Sequence, residues 1–458
     1  MTTLGLDAAQ ALRGAFRGDV LLPDAPGYDD ARTLFNGSMD RHPGAIAQCT
    51  SREDVAAALA AAREMGMEVS VRGGGHGVAG KALTDGGLAI DLRRMNAVTV
   101  DPYARLVRIE GGGTMADLDG ATQPCGLATT GGRASTTGIG GFTLGGGSGW
   151  LERKFGLACD NLTAVEMVTA DGRMIEASET EHSELFWALH GGGGNFGIAT
   201  SFTFKLYELP AFSMALMMWP PEYGPDVLRT YRDFCETAPD EVGGGFIYLV
   251  GPPEEFVPPH LVGRLACAVL ITYAGTEAEC RDAAAPFLGL APDGAMIAEL
   301  PYMMFQTMLD DPPGLRNYWS AEYMDSFPDA AVDAFCARSP GMVQPSASMN
   351  AFFPQGAAVA TRAAGNPLAW TDARYGVHPF ALWEDPADDA QAAQWAHQVC
   401  ADMRPWSTGS TYLNFIGDEG QARIVDAFGP DNYRRMAAVK AEYDPDNVFH
   451  LNQNIPPM

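Results

Sequence analysis

Gly75-His76-Gly77-Val78-Ala79-Gly80 spells G-x-G-x-x-G directly behind the strand-like run Glu68-Val69-Ser70-Val71-Arg72. Such glycines let backbone N–H groups approach a phosphate, but a dinucleotide site also needs a following helix whose N-terminus faces the pyrophosphate. Here Lys81-Ala82-Leu83-Thr84-Asp85-Gly86-Gly87 follows, which reads as a turn into another strand. No Gly-Lys-Ser/Thr follows the loop, so the Walker pattern fails as well. What is left is a loop of bare N–H groups able to form an anion nest. Arg72 beside it is either added charge or a solvated strand end.

Two further loops are built alike. One is Gly138-Ile139-Gly140-Gly141-Phe142-Thr143-Leu144-Gly145-Gly146-Gly147, the other His190-Gly191-Gly192-Gly193-Gly194-Asn195-Phe196-Gly197. A single Gly-rich turn between strands is ordinary. Three long ones in one region imply close backbone approach to a large, flat, phosphorylated ligand, and a flavin dinucleotide has that shape and charge. His76 has little inside a Gly run to pack against. It is either a loop histidine in a polar turn or a nucleophilic imidazole at the edge of an isoalloxazine ring.

The elements that must carry these loops are legible in part. Ala45-Ile46-Ala47 reads as a strand, Ser51-Arg52-Glu53-Asp54 as a capping box opening a helix through Met65, and Gly66 as its stop. Residues 68–72 form the next strand, so one βαβ unit feeds the first loop. Leu88–Leu92, Ala97–Val100, Leu106–Ile109 and Phe202–Leu206 are further strands. Composition shifts near Leu209-Pro210. Beyond it lie apolar strands at 246–250, 265–273, 348–353 and 377–383, separated by helices such as 226–237 and 387–403, with a last helix at 421–442. This predicts an α+β chain whose second part is an antiparallel sheet.

The bulk numbers agree with an ordinary globular protein. The 458 residues allow two large domains or three ordinary ones. The chain is 47% hydrophobic and 19% charged, which gives ample core and excludes a disordered chain. A net charge of −27 repels phosphate backbones and anionic lipids, so neither nucleic acid nor a membrane surface is an expected partner. Of the eight runs of two or more glycines, seven precede residue 200, which localises the ligand contacts. The eight cysteines have no paired spacing, and neither a zinc site nor a disulfide framework is expected. Met1–Asp7 lacks a basic and apolar leader pattern, and no run approaches a membrane span. A reduced, cytoplasmic protein is expected.

Taken together, Val71-Arg72-Gly73-Gly74-Gly75-His76, the 138–147 loop, Arg153-Lys154-Phe155-Gly156-Leu157-Ala158-Cys159-Asp160-Asn161, Gly192–Gly197, Tyr443-Asp444-Pro445-Asp446-Asn447 and Asn452-Gln453-Asn454 resemble the vanillyl-alcohol-oxidase/PCMH superfamily. The similarity is strongest to its berberine-bridge-enzyme-like branch of FAD-linked oxidases. It spans nearly the whole chain. It implies an α+β fold with a PCMH-type FAD-binding domain, 1–207 and 406–458, and a substrate domain, 208–405, whose antiparallel sheet is covered by helices. His76 matches the family histidine that bonds to the flavin 8α-methyl. Bicovalent members carry a Cys four residues before the Gly that opens the second loop; here that position is Ala134, with Cys125 and Cys159 off register. The resemblance therefore implies FAD held by a single histidyl link.

It also implies cofactor contacts at Arg72, Gly73, Gly74, Gly75, His76, Gly77, Thr137, Gly138, Ile139, Gly141, Gly145, Asn161, Gly194, Gly197, Ile198, Asn452 and Asn454, and catalytic roles for Tyr412 and Asn414 in Tyr412-Leu413-Asn414-Phe415. Tyr412 is a base only if its ordinary pKa of about 10 is lowered by a cation or by hydrogen bonds; otherwise it orients substrate. Phe246, Tyr248, Tyr318, Trp319, Phe352, Phe353 and Trp383 are candidate pocket aromatics, with packing against helices the commoner fate. Glu322 and Glu384 are candidate polar partners, more readily solvated. The expected activity is oxidation of a C–OH or C–N bond of a small natural product by hydride transfer to flavin N5, with O2 as acceptor. The alternatives are an N5-oxygenated-flavin oxygenase acting on a polyketide-like molecule, and a flavin-binding protein without turnover. A monomer or homodimer is expected.

Overall fold

The computed structural model describes residues 16–458 except 311, 313, 363 and 364. The reading of Met1–Asp7 lies outside the described residues. Four short strands open the chain: β1 (Asp19–Leu21), β2 (Ala45–Gln48), β3 (Val69–Arg72) and β4 (Leu88–Asp91). They form a sheet in the order β1-β2-β4-β3, with β2 and β3 both parallel to β4. The two strands of the expected βαβ unit are thus not neighbours; the fully buried β4 sits between them. The helix Arg52–Glu64 connects them. Ser51 caps it by accepting the Asp54 N–H, but the box is only half made. The Asp54 carboxylate instead accepts the N–H groups of Arg17 at 2.7 Å and Thr50 at 2.9 Å.

A second sheet follows from β5 (Val98–Asp101), β6 (Leu106–Glu110), β8 (Leu162–Val168), β9 (Met174–Ser178) and β10 (Ile198–Lys205), antiparallel in the order β5-β6-β10-β8-β9. Val107, Ile109, Val165, Phe202 and Phe204 point into one core, which Ile424, Phe428, Met436 and Tyr443 of the helix Gln421–Tyr443 close from the other end of the chain. That helix kinks at Gly429, where φ is +72° and Pro430 follows without an N–H to continue the ladder. The short strands β7 (Leu127–Ala128) and β11 (Tyr207–Glu208) pair where the composition shifts.

The third sheet holds β12 (Ser213–Trp219), β13 (Val242–Val250), β14 (Leu265–Tyr273), β15 (Gly294–Glu299), β16 (Arg316–Trp319), β17 (Glu322–Met324), β18 (Met349–Pro354) and β19 (Tyr375–Trp383), antiparallel in the order β15-β12-β14-β13-β18-β19-β16, with β17 also on β19. Side chains alternate across it. Phe246, Tyr248, Phe352 and Trp383 face the helices Gly224–Cys235, Glu277–Leu288, Asp329–Arg338 and Asp389–Met403, in one core with Tyr231, Phe287, Phe335 and Trp395. Burying each such ring is worth roughly 1.5–3 kcal/mol. The opposite register, with Ile247, Leu249, Met349, Ala351, Phe353 and Phe380, turns to a cavity shared with the first part of the chain. Gly243 allows the sheet to close on that part, since a Cβ there would lie 2.5 Å from the Trp150 carbonyl oxygen.

The two parts interlock. Leu368 and Trp370, from the segment between β18 and β19, join the core of the second sheet beside Tyr412. Arg153 reaches the other way, donating to the carbonyls of Val242 at 2.8 Å and Gln355 at 2.7 Å. Among the described residues no helix is long and apolar enough to cross a membrane.

Candidate active site

The cavity between the glycine loops and the third sheet measures about 640 Å³. The first two loops meet at its floor. A Cβ on Gly138 would fall 2.3 Å from the Gly74 backbone nitrogen, and one on Gly74 2.6 Å from the Gly138 Cα. Only glycine fits at both positions, and the contact leaves bare backbone facing the cavity. Gly73, Gly74, Gly75, His76, Gly77, Thr137, Gly138, Gly141, Gly145, Gly194, Gly197, Ile198, Asn452, Tyr412 and Asn414 all line it.

Four expected contact residues are placed elsewhere. Arg72 lies beneath the first loop, where its guanidinium donates to the carbonyls of Ala31 and Thr33. Burial lowers its pKa to about 10, and its charge organises backbone rather than adding to an anion nest on the wall. Asn161 donates to the carbonyls of Phe155 at 2.9 Å and Leu157 at 2.8 Å and so pins a turn. Ile139 is fully buried in the core. Asn454 lies off the wall, its carbonyl accepting from Gln421.

His76 stacks on Phe35 with ring centroids 3.7 Å apart and planes 14° apart. Its Nε2 is buried without a partner, and burial lowers the ring's pKa to about 4. The imidazole is therefore neutral at ordinary pH and keeps a lone pair, the form a nucleophile needs. None of the eight cysteines lines the cavity, whereas Ala134 does.

Tyr412 is fully buried. Its phenol oxygen accepts the N–H groups of Gly147 at 3.0 Å and Ser148 at 3.1 Å and the Asn414 amide at 2.9 Å. Asn414 also donates to the Phe142 carbonyl at 3.1 Å. Burial outweighs these donors and pushes the phenol up to about 12. The lowering that a general base requires is not built into the fold: the desolvation of a phenolate is larger than what the three donors return.

Of the candidate aromatics, Trp319 and Phe353 reach the cavity, while the helix-facing ones do not. Tyr318 is turned to His397. Glu384 is exposed. Glu322 is not solvated: it is buried against Arg423 at 3.3 Å and accepts from Ser407 at 2.6 Å, and burial raises its pKa. It stands off the cavity.

Sequence reasoning missed Arg133, Trp150, Phe380 and Phe415, all on the wall. Phe380 was within reach, because alternation along β19 sets it opposite to Trp383. Arg133 has no local signal. It donates to the Ser148 Oγ at 3.0 Å and to Glu152 at 3.1 Å, and lies 4.6 Å from the Phe353 ring centroid.

These features suit a large flat ligand bearing anionic and imide groups. The floor is bare backbone, His76 Nε2 lacks a partner, and the Asn452 amide oxygen on the same wall is also buried without a donor. The His76 nitrogen suits a covalent tether, and the Asn452 oxygen suits an imide N–H.

A family profile described as FAD binding domain matches residues 43–178, and one described as berberine and berberine like matches residues 411–456. The chain is 31% identical over 465 residues to (R)-6-hydroxynicotine oxidase of Paenarthrobacter nicotinovorans, covering 97% of both chains. It superposes on the crystal structure of 6-hydroxy-D-nicotine oxidase from Arthrobacter nicotinovorans with a TM-score of 0.85 at 27% identity, over 97% of this chain and 98% of that one. The fold is shared with Physcomitrella patens BBE-like 1 at a TM-score of 0.88 and 20% identity, over the full length of each.

Proposed function

The chain belongs to the berberine-like family of FAD-linked oxidases, and from that footing we propose that it oxidises a C–OH or C–N bond of a small natural product, with O2 as the final acceptor. FAD, when bound, supplies the hydride acceptor at N5. In such a reaction two electrons and two protons leave the substrate, and O2 takes them up as hydrogen peroxide. The observation that carries the proposal is the neutral, unpartnered His76 imidazole sharing one cavity with the Tyr412–Asn414 pair.

His76 holds the cofactor through a single covalent link. The absence of any cysteine from the cavity wall supports one tether rather than two. Asn452 supplies an acceptor to the cofactor's pyrimidine edge. Tyr412, with its phenol near 12, holds its proton and orients substrate; Asn414 fixes the phenol in place. The FAD-binding part is assigned to 1–207 and 406–458, and the substrate-binding part to 208–405. Eight unpaired cysteines support a reducing, cytoplasmic setting, and a role in secondary metabolism follows from the substrate class.

The test is to purify the protein, screen alcohols and amines anaerobically for bleaching of flavin absorbance, and admit air. Recolouring with hydrogen peroxide equal to product supports the oxidase. Product without peroxide, carrying an oxygen atom from O2, replaces it with the oxygenase. No bleaching by any alcohol or amine contradicts the assignment.

A further inference from the structure

Resting on the reading of His76 as the cofactor's tether, we infer that Phe35 is the residue that positions it: the Phe35 ring face sets the plane of the imidazole, and losing that face slows formation of the covalent link while leaving FAD binding in place. The need for such a partner starts in the sequence. His76 stands between Gly75 and Gly77, and neither has a side chain to lean on it. Gly75 turns the backbone at φ +74°, and a Cβ on Gly77 would find nothing within 4 Å. Rotation of an imidazole about its Cβ–Cγ bond is soft and roughly two-fold. The loop by itself therefore leaves the ring plane open.

Phe35 closes it. Its ring lies nearly parallel to the imidazole, with centroids 3.7 Å apart and 14° between the planes. Trp319 rests edge-on against Phe35 at 5.9 Å and 70°, and stands 6.2 Å from His76. A stacked face at this spacing restrains rotation about Cβ–Cγ, because turning the imidazole drives its edge into the phenyl ring. The lone pair of an imidazole nitrogen lies in the ring plane, so fixing the plane fixes the direction of attack. Reaction rates respond steeply to such alignment.

Phe35 is itself held from two sides. Its N–H donates to the Gly75 carbonyl at 3.2 Å, and a Cβ on Gly75 would lie 3.1 Å from Leu34 Cδ2. The next residue, Asn36, is fully buried. Its amide donates to the Val78 carbonyl at 2.8 Å and the Asn317 carbonyl at 3.0 Å, and its Oδ1 accepts the Asn317 N–H at 2.9 Å. The Gly37 N–H donates to the Leu315 carbonyl at 2.8 Å. Residues 35–37 thus bond to the first loop on both flanks of His76 and to the chain at β16, the strand that carries Trp319. The alignment of the imidazole is shared between the glycine-loop part of the chain and the third sheet.

In forming the link, an imidazole nitrogen bonds to the 8α carbon and one C–H bond of that methyl group breaks. The methyl group and the imidazole each give up one hydrogen, and the two electrons and two protons end on O2 as one hydrogen peroxide per link. The test takes the full-length chain from riboflavin-limited cells and mixes it in air with FAD over a range of concentrations. Flavin on the acid-precipitated chain and peroxide released are followed in time for the wild type, Phe35→Leu and Phe35→Tyr. Phe35→Leu is expected to attach about tenfold or more slowly at saturating FAD, with the half-saturating FAD concentration within about threefold of the wild type. Phe35→Tyr keeps the ring face and is expected within about threefold of the wild-type rate. A leucine variant that attaches at the wild-type rate, one whose deficit disappears at high FAD, or a tyrosine variant that is slow overturns the inference. Phe35→Met is read in the same way if the leucine variant does not fold, and the tyrosine arm decides without either. A wild-type chain that forms no link overturns the reading of His76 itself, whereas a linked wild type with an indifferent leucine variant overturns the positioning role alone.

Discussion

The Tyr412 phenol oxygen and the Asn414 amide nitrogen lie 2.9 Å apart, and the same oxygen accepts two backbone N–H groups from the end of the second glycine loop. Three donors converge on one buried oxygen, yet its pKa still rises to about 12 because the desolvation of a phenolate is larger than what they return. A raised folded pKa means that stability is fully present below the unfolded value of about 10 and is lost as pH climbs through 12. The loss is expected to be about 2–3 kcal/mol across that window. Titration of unfolding free energy between about pH 9 and pH 12, wild type against Tyr412→Phe, reads it. The variant should lack that alkaline loss and should start about 2–4 kcal/mol lower, because Gly147 and Ser148 are left with buried N–H groups and no acceptor.

His76 titrates in the opposite window. Its folded pKa of about 4 lies below the unfolded value near 6.5, so its contribution is present above 6.5 and is lost as pH falls through 4. For the apoprotein the expected loss is about 3 kcal/mol. His378, lowered to about 3 by burial, adds a second limb that reaches further into acid. His76→Phe, which keeps a ring against Phe35, should remove the first limb and leave the second.

Gly138→Ala and Gly77→Ala differ in what a methyl group meets. At Gly138 it would lie 2.3 Å from backbone that cannot give way; at Gly77 nothing lies within 4 Å. The first change should cost more than about 3 kcal/mol or prevent folding, and the second should stay within about 1 kcal/mol. Denaturant unfolding of the two variants side by side decides this.

Lys440 and Asp444 form an ion pair at 2.6 Å with both side chains fully buried. The ammonium also donates to the carbonyls of Asn195 at 2.8 Å and Phe449 at 2.9 Å, and so ties the third glycine loop to the C-terminal segment carrying Asn452. Lys440→Met leaves Asp444 with its two backbone donors, from Val448 and Phe449, and no counter-charge. A loss of about 3–5 kcal/mol is expected on denaturation.

What was legible in the sequence divides along physical lines. Glycine loops announce themselves because only glycine tolerates the contact between Gly74 and Gly138. Residues two apart on a strand share a face, so Phe246 and Tyr248 must point the same way, but that spacing does not tell which side of the sheet holds the helices. Arg72 and Asn161 were expected as cofactor contacts through the resemblance of the motifs that carry them; their side-chain N–H groups donate to backbone carbonyls, a choice of partner that no motif spells out. Glu322 looked solvated because its partner Arg423 lies far along the chain. Arg133 was silent for a similar reason, since its rings come from three separate segments. The insertion of β4 between β2 and β3 is a sheet-level choice that no local pattern encodes.

The most direct measurement is acid denaturation of the purified protein followed by gel filtration, with absorbance near the flavin bands read on the chain and on the small-molecule fraction. Yellow colour that stays with the wild-type chain and moves to the small-molecule fraction in His76→Ala is the expected result. Colour that leaves the wild-type chain contradicts the covalent link, and a chain that carries no flavin even before denaturation contradicts the cofactor assignment itself.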